Sequence, residues 1–204
     1  PGWVNMSLSF DTLVWKDAGK VVPWLATEWS ATPDGTRWSF TLRDGVKWQD
    51  GQPFTADDVA FTVEYFRKNV SSWYAGQIDL IKEVKVVDPR HVEISLTTPY
   101  APFLESVAGA LVIIPKHIWE TVADPKKLTA PEAAIGTGPY KLASYDKTTG
   151  AYLYEANPDF FLGRPYVRRI EMVPSANDLV SLAKGEIDAG GPSVQDAGTD
   201  EVLA

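Results

Sequence analysis

The chain has 204 residues, a net charge of −8 and no cysteine. That length buries a core as one domain or two, and the acidic balance argues against a nucleic-acid binder, which would carry a basic stripe. The missing cysteine excludes a disulfide framework, a thiolate zinc site and a cysteine nucleophile, and no apolar run approaches the roughly 18 residues that cross a bilayer.

Residues 1–23 open as a loop around Trp3. Leu8, Phe10, Leu13 and Val14 then predict a short helix, and Asp17-Ala18-Gly19-Lys20 a turn. Trp38, Phe40 and Leu42 alternate with Arg37, Ser39 and Thr41, the period of two of a half-buried strand. Pro33-Asp34-Gly35 supplies the turn before it, and Asp50-Gly51 a second reversal. Thr55, three residues ahead of Asp58, predicts a capped helix start, with Val59, Val63 and Phe66 as its buried stripe. Residues 70–83 read as loop or short helix.

Val84–Val87 and Val92–Leu96 flank Asp88-Pro89-Arg90, a hairpin signal. Ala101–Ala108 predicts a short helix, Leu111–Ile114 a buried strand and Lys116–Ala123 a helix, with loop or short helix over 124–135. Tyr140–Asp146 and Ala151–Ala156 form another hairpin, and Val167–Val173 a strand. Ser175 is the predicted cap of a helix that runs to Lys184, buries Leu179, Val180, Leu182 and Ala183, and stops at Gly185. Ile187–Ala189 begins a strand, and 190–204 form a polar, poorly ordered tail.

Several words in this order resemble family 5 extracellular solute-binding proteins, the receptors of ABC importers for peptides, nickel and some oligosaccharides. They include Pro23-Trp24-Leu25-Ala26, Asp34-Gly35, Trp38-Ser39-Phe40-Thr41-Leu42-Arg43 and Phe54-Thr55-Ala56-Asp57-Asp58-Val59. Further along come Pro99-Tyr100-Ala101-Pro102-Phe103-Leu104, Ile114-Pro115-Lys116-His117, Gly136-Thr137-Gly138-Pro139-Tyr140, Asn157-Pro158-Asp159-Phe160-Phe161 and Gly185-Glu186-Ile187-Asp188.

The resemblance implies an α/β fold of the type II periplasmic-binding-protein kind, here the N-terminal lobe with mixed sheets and an inserted α+β subdomain. Residues 1–45 and 131–189 would form the lobe proper, 46–130 the insertion, and 190–204 a tail toward a second lobe. Family members are usually more than twice this long and exported. The chain therefore reads as a first-lobe fragment of an extracytoplasmic receptor, either free in the periplasm or lipid-anchored. The expected partners are a small solute (peptide first, oligosaccharide second) and a membrane ABC permease, with no nucleic acid. The full-length protein is expected to be a monomer.

Enzyme chemistry finds little support. A nucleophile–base pair needs a poised base, and the only histidines, His91 and His117, read as a hairpin turn residue and a helix-surface residue. Asp57-Asp58 and the Glu186, Asp188 pair fit helix ends better than paired acid–base work. No metal site and no cofactor are expected. Gly136-Thr137-Gly138 lacks the lysine and following helix of a phosphate loop and fits a tight backbone passage.

Eight tryptophans leave a stand-alone Trp-rich carbohydrate-binding module as the rival class. Trp24, Trp29, Trp38 and Trp48 sit in scaffold words and read as packing. In the family, the loop matching Trp3 lines the cleft, and an aromatic reaches the ligand from the inserted subdomain. The candidate ligand contacts are therefore Trp3, Asn5, Trp73 and Tyr74. Some metal-chelate binders of the family use an Arg just before the Ile-Pro word. Leu111-Val112-Ile113 stands there in this chain, which lowers the nickel reading.

Overall fold

A four-stranded antiparallel sheet organises the molecule, and its rows of side chains explain its register. The computed structural model describes residues 2–69, 75–125, 128 and 131–190. In chain order, α1 (Gly2–Ser9) leads to a hairpin of β1 (Val14–Asp17) and β2 (Lys20–Pro23). Next come β3 (Ala26–Ala31), β4 (Arg37–Leu42), α2 (Ala56–Lys68) and α3 (Ala75–Leu80). β5 (Ile81–Asp88) and β6 (His91–Leu96) complete the sheet in the order β3-β4-β6-β5. Trp29, Phe40, Val92 and Val86 line up across its four strands, and Ala31, Trp38, Ile94 and Val84 form the next row. A register slip of one residue would turn these apolar rows to solvent.

α2 covers this sheet. Val59 and Val63 are buried and Phe66 packs on the same core, so the predicted stripe is correct. Its start is the predicted capping box: Asp58 Oδ2 accepts from the Thr55 backbone N–H at 2.9 Å. Phe103, from a π-helical turn over Leu104–Ala108 and its approach, packs against Trp38 and Phe40. Leu25, Leu42 and Ile113 fill the same core. Burial of each such side chain contributes about 1.5–3 kcal/mol.

A second sheet, β7-β8-β9, comprises β7 (Tyr140–Tyr145), β8 (Tyr152–Ala156) and β9 (Arg169–Met172). All strand pairs among the described residues are antiparallel, where the family resemblance implied mixed sheets. Two short helices, α4 (Lys116–Trp119) and α5 (Asp178–Ala183), complete the elements used below.

Four local expectations are corrected. The first helix is Gly2–Ser9, where a loop was expected, and Leu13 and Val14 are extended. Their stretch spends its carbonyls on the segment that enters β3: Leu25 N–H donates to Thr12 O and Ala26 N–H to Leu13 O. Residues 111–114 are buried as predicted but form no ladder. The Ile113 N–H goes to the Asp11 carbonyl and the Ile114 N–H to the Thr62 hydroxyl. The helix expected to Ala123 ends at Trp119, ahead of β-branched Thr121 and Val122, which disfavour its continuation.

The last correction concerns α5. It is capped by Asn177, whose side chain accepts from the Val180 N–H, while Ser175 Oγ donates to Ser181 Oγ. Val180, Leu182 and Ala183 are exposed, and Ile187–Ala189 joins no strand among the described residues. Gly185 does stop the helix, at φ +71°.

The Gly136-Thr137-Gly138 stretch is the tight passage anticipated from its composition. A Cβ on Gly138 would lie 2.6 Å from the Leu8 carbonyl oxygen, and one on Gly136 would overlap the Ser9 carbonyl group. Both obstacles are backbone, so neither can swing away. Gly136→Ala is therefore expected to destabilise the chain by more than about 3 kcal/mol or to prevent folding. Gly45→Ala, in an open turn at φ +71°, is expected to cost only about 1 kcal/mol. Denaturant unfolding of the two variants side by side checks the contrast.

Candidate functional site

The chain from Ser9 to Val14 runs through the interior, and its polar groups must find partners there. Ser9, Asp11 and Thr12 are all buried. Asp11 Oδ1 accepts from the Trp24 indole Nε1–H at 2.7 Å, and Oδ2 from the Thr137 hydroxyl at 2.6 Å. Its backbone carbonyl takes the Ile113 N–H at 3.0 Å. Burial pushes the Asp11 carboxyl from its ordinary 3.8 up to about 6, against the pull of the Thr137 and Trp24 hydrogen bonds.

Beside it, Ser9 O accepts from Gly138 N–H at 2.8 Å. Gln49 holds the other side of the passage. Its Nε2 donates to Gly138 O and Tyr140 O, and its Oε1 accepts from Gly136 N–H. Asn157, fully buried, donates from Nδ2 to Gly138 O. A ring cluster lies over Trp24: Trp15 stacks at 5.1 Å between centroids, Phe161 meets it edge-on at 5.8 Å, and Arg43 sits 5.3 Å over Phe161.

A second carboxylate ties α2 to the 111–119 region. Besides its bond to Thr55, Asp58 accepts at Oδ1 from the Lys116 N–H at 3.0 Å, so one side chain satisfies the starts of two helices. Burial raises its pKa in spite of those bonds. Residues 111–114 thus bond to Asp11 on one side and to α2 on the other. The root of α1, the 111–114 segment and α2 form one braced wall.

Trp3 and Asn5 lie within α1, and their side chains are outside the described set; Trp73 and Tyr74 lie outside the described residues. Trp24, Trp29, Trp38 and Trp48 are core or core-packed. His91 caps its own turn through Asp88, and His117 Nε2 meets Asp50 Oδ2 at 2.7 Å, a pair that sequence reasoning missed. Asp57 sits in the first turn of α2, and Glu186 accepts from Ser181 Oγ. Among the described residues no cluster of three metal-ligating side chains occurs.

The Asp11 knot was also missed. Its signal is a lone carboxylate inside the apolar run Leu8–Val14. Two shallow grooves lie elsewhere. One, of about 330 Å³, runs over the outer face of β3, β4 and β6 between Glu28, Thr41, His91 and Glu93. The other, of about 550 Å³, runs over β7, β8 and β9.

The family model for bacterial extracellular solute-binding proteins, family 5 Middle, matches residues 20–202. The dipeptide-binding protein of Escherichia coli (strain K12) is 36% identical over 188 residues, 81% of this chain and 34% of that protein. The nickel-binding periplasmic protein of the same strain is 30% identical over 196 residues, 89% of this chain and 35% of that protein. The crystal structure of NikZ from Campylobacter jejuni in complex with Ni(L-His) superposes with a TM-score of 0.76 at 31% identity, over 89% of this chain and 37% of that one. The chain spans about a third of the length of these relatives.

The raised Asp11 pKa carries a stability consequence with a definite sign. The folded chain holds this proton more tightly than the unfolded chain. The contribution is full below the ordinary carboxylate value and is lost as pH rises through about 6. Asp11→Asn keeps an acceptor for Trp24 and removes the titration. Measured by urea unfolding, the stability difference between wild type and Asp11→Asn is expected to shift against wild type by about 3 kcal/mol from pH 3.5 to pH 7. A constant difference would contradict the assignment.

Proposed function

Because this chain belongs to the bacterial extracellular solute-binding proteins, family 5, we propose that it forms one wall of a solute cleft in a longer ABC-importer receptor. The observation that carries this reading is the braced wall itself: the segment that follows α1, residues 111–114 and α2 are linked by Asp11, Thr62 and Asp58, and the last residue of α1, Ser9, is tied to Gly138. A rigid wall presents its contacts without an ordering cost on binding. Trp3 and Asn5 on α1, with Trp73 and Tyr74 beyond α2, are the proposed solute contacts. Residues 46–130 are proposed to form an inserted subdomain between the two parts of the lobe.

Peptides are the proposed solute class. The relative with 36% identity is named for dipeptide binding. Leu111, Val112 and Ile113, all buried, occupy the segment from which some metal-chelate binders of the family present an arginine. Trp15, Trp24, Trp38, Trp48 and Trp119 are engaged in ring contacts within the chain, which weighs against a sugar platform built from them. Family members are transport binding proteins, and the proposed cycle makes and breaks no covalent bond. Solute bridges two lobes and shifts the population toward the closed form by its higher affinity for it. The closed receptor then docks on a membrane permease outside the cytoplasm, as a monomer.

The test is to purify the full-length receptor without refolding, denature it, and identify the released small molecules by mass spectrometry. Short peptides are the expected result; an oligosaccharide or a nickel chelate would overturn the peptide reading. Calorimetry on the 204-residue chain alone should show no peptide binding tighter than millimolar, since one wall supplies only part of the contacts. Micromolar binding by this chain would overturn the one-wall reading.

A further inference from the structure

Residues 157–168 join β8 to β9 and leave the second sheet at the end marked by Tyr140, Ala156 and Arg169. Three of the eight large apolar side chains exposed among the described residues lie in this loop: Leu162, Tyr166 and Val167, with Tyr166 fully exposed. Single exposed apolar residues are ordinary, but a cluster of them marks an interaction surface. Arg164, Arg168 and Arg169 are exposed beside them, and no acidic residue stands between Asp159 and Glu171. None of the three arginines forms an ion pair among the described residues.

The loop is held at its base. Arg168 O accepts from the Ala156 N–H at 2.9 Å, and Asn157 Oδ1 from the Asp159 N–H at 3.2 Å. Gly163 turns the chain at φ +99°, its N–H bonded to Phe160 O. Phe160 and Phe161 pack on Trp24, and Arg43 lies over Phe161. These two rings meet the body of the protein, while Leu162, Tyr166 and Val167 stay outside it. A tip carried on a fixed base loses less freedom on making a contact.

We propose that residues 162–168 are a contact for an anionic lipid layer, with Tyr166 and its apolar neighbours entering the headgroup region and Arg164 and Arg168 pairing with lipid phosphates. Tyrosine suits that region because its ring is apolar and its hydroxyl polar. Arginine suits it because its stem is apolar and its fork binds phosphate. Arg169 stands opposite Glu155 in the ladder, so the free charge lies on Arg164 and Arg168. The chain carries −8 overall, so its net charge repels an anionic surface, and only a local basic face can bring it there. Neither of the two grooves described above reaches this loop, which therefore offers no cleft to a peptide segment. The proposal goes beyond the solute-cleft reading and does not depend on it.

The exposed side chains Tyr145 and Val173 belong to a different place. β7 and β9 point the same way on either side of β8, so Tyr145 and Met172 mark the opposite end of the sheet. The chain leaves the sheet from that end, through Val173 toward α5, and not from the loop that carries Tyr166.

The experiment is co-sedimentation of the full-length receptor with vesicles, in the absence of solute and permease. The vesicles are phosphatidylcholine alone, or equal parts phosphatidylcholine and phosphatidylglycerol. Wild type is expected to bind only the anionic vesicles and to lose that binding between about 50 and about 500 mM salt. Combining Arg164→Glu with Arg168→Glu is expected to weaken binding about fivefold for each arginine, about twenty-fivefold for the pair. Tyr166→Ser is expected to weaken it about threefold to tenfold and to leave the salt dependence in place. The control combines Lys82→Glu with Lys85→Glu, two exposed lysines of β5, which changes net charge equally and is expected to bind as wild type does. An equal loss in that control, or no binding of wild type to anionic vesicles, would overturn the proposal. Dimerisation in solution without vesicle binding, abolished by the arginine substitutions, would overturn it too and assign the face to a second copy.

Discussion

Residues 136–138 lie backbone on backbone against Leu8 and Ser9, with no room for a Cβ at Gly136 or Gly138. Only glycine permits it, and the approach leaves several buried donors and acceptors to satisfy at once. Gln49 and Asn157 are the answer, since amide side chains both donate and accept. Gln49 bonds to both edges of the passage, and Asn157, the residue after β8, closes it. The position of α1, the path into β7 and the burial of Asp11 all follow from this one crossing.

Charge in the interior is used sparingly and for geometry. Asp58 meets the start of α2 and the start of α4 together, replacing water for two sets of orphan N–H groups. Asp11 does the same for an indole and a hydroxyl. Each carboxylate loses hydration, which is why both are raised, and each recovers part of that loss from directed bonds that no aliphatic residue could make. Between them, residues 111–114 contribute apolar side chains to the core and backbone N–H groups to the bracing. One extended segment thereby serves packing and alignment.

Much of the fold is legible wherever the signal is local. The alternation through Trp38, Phe40 and Leu42, the Thr55–Asp58 box and the turn at Asp88-Pro89-Arg90 each lie within a few residues, and each forms as its pattern requires. The misread elements are those whose partners lie far along the chain. Leu111–Ile114 has the apolarity of a buried strand, and only the distant positions of Asp11 and Thr62 decide that it is not one. Asp50 finds His117 67 residues away, and Asp11 finds Thr137 126 residues away. Val180 and Leu182 carry the pattern of a buried helix face, yet both are exposed among the described residues. Of the candidate site, the supporting wall could not be read from sequence, because its bracing consists almost entirely of such distant pairs.

The glycine crossing also orders events in time. Closing a loop of that size costs entropy before any contact repays it, and contacts of high sequence separation form slowly. The β3–β4 hairpin has its register from residues close in sequence and can condense early. The root of α1 has no seat until Gly136-Thr137-Gly138 exists and has arrived. Residues 2–13 therefore stay undocked until residues 136–138, more than a hundred positions further along the chain, are available. For that interval this apolar segment is open to chaperones and proteases, and the closing of one backbone crossing ends their access.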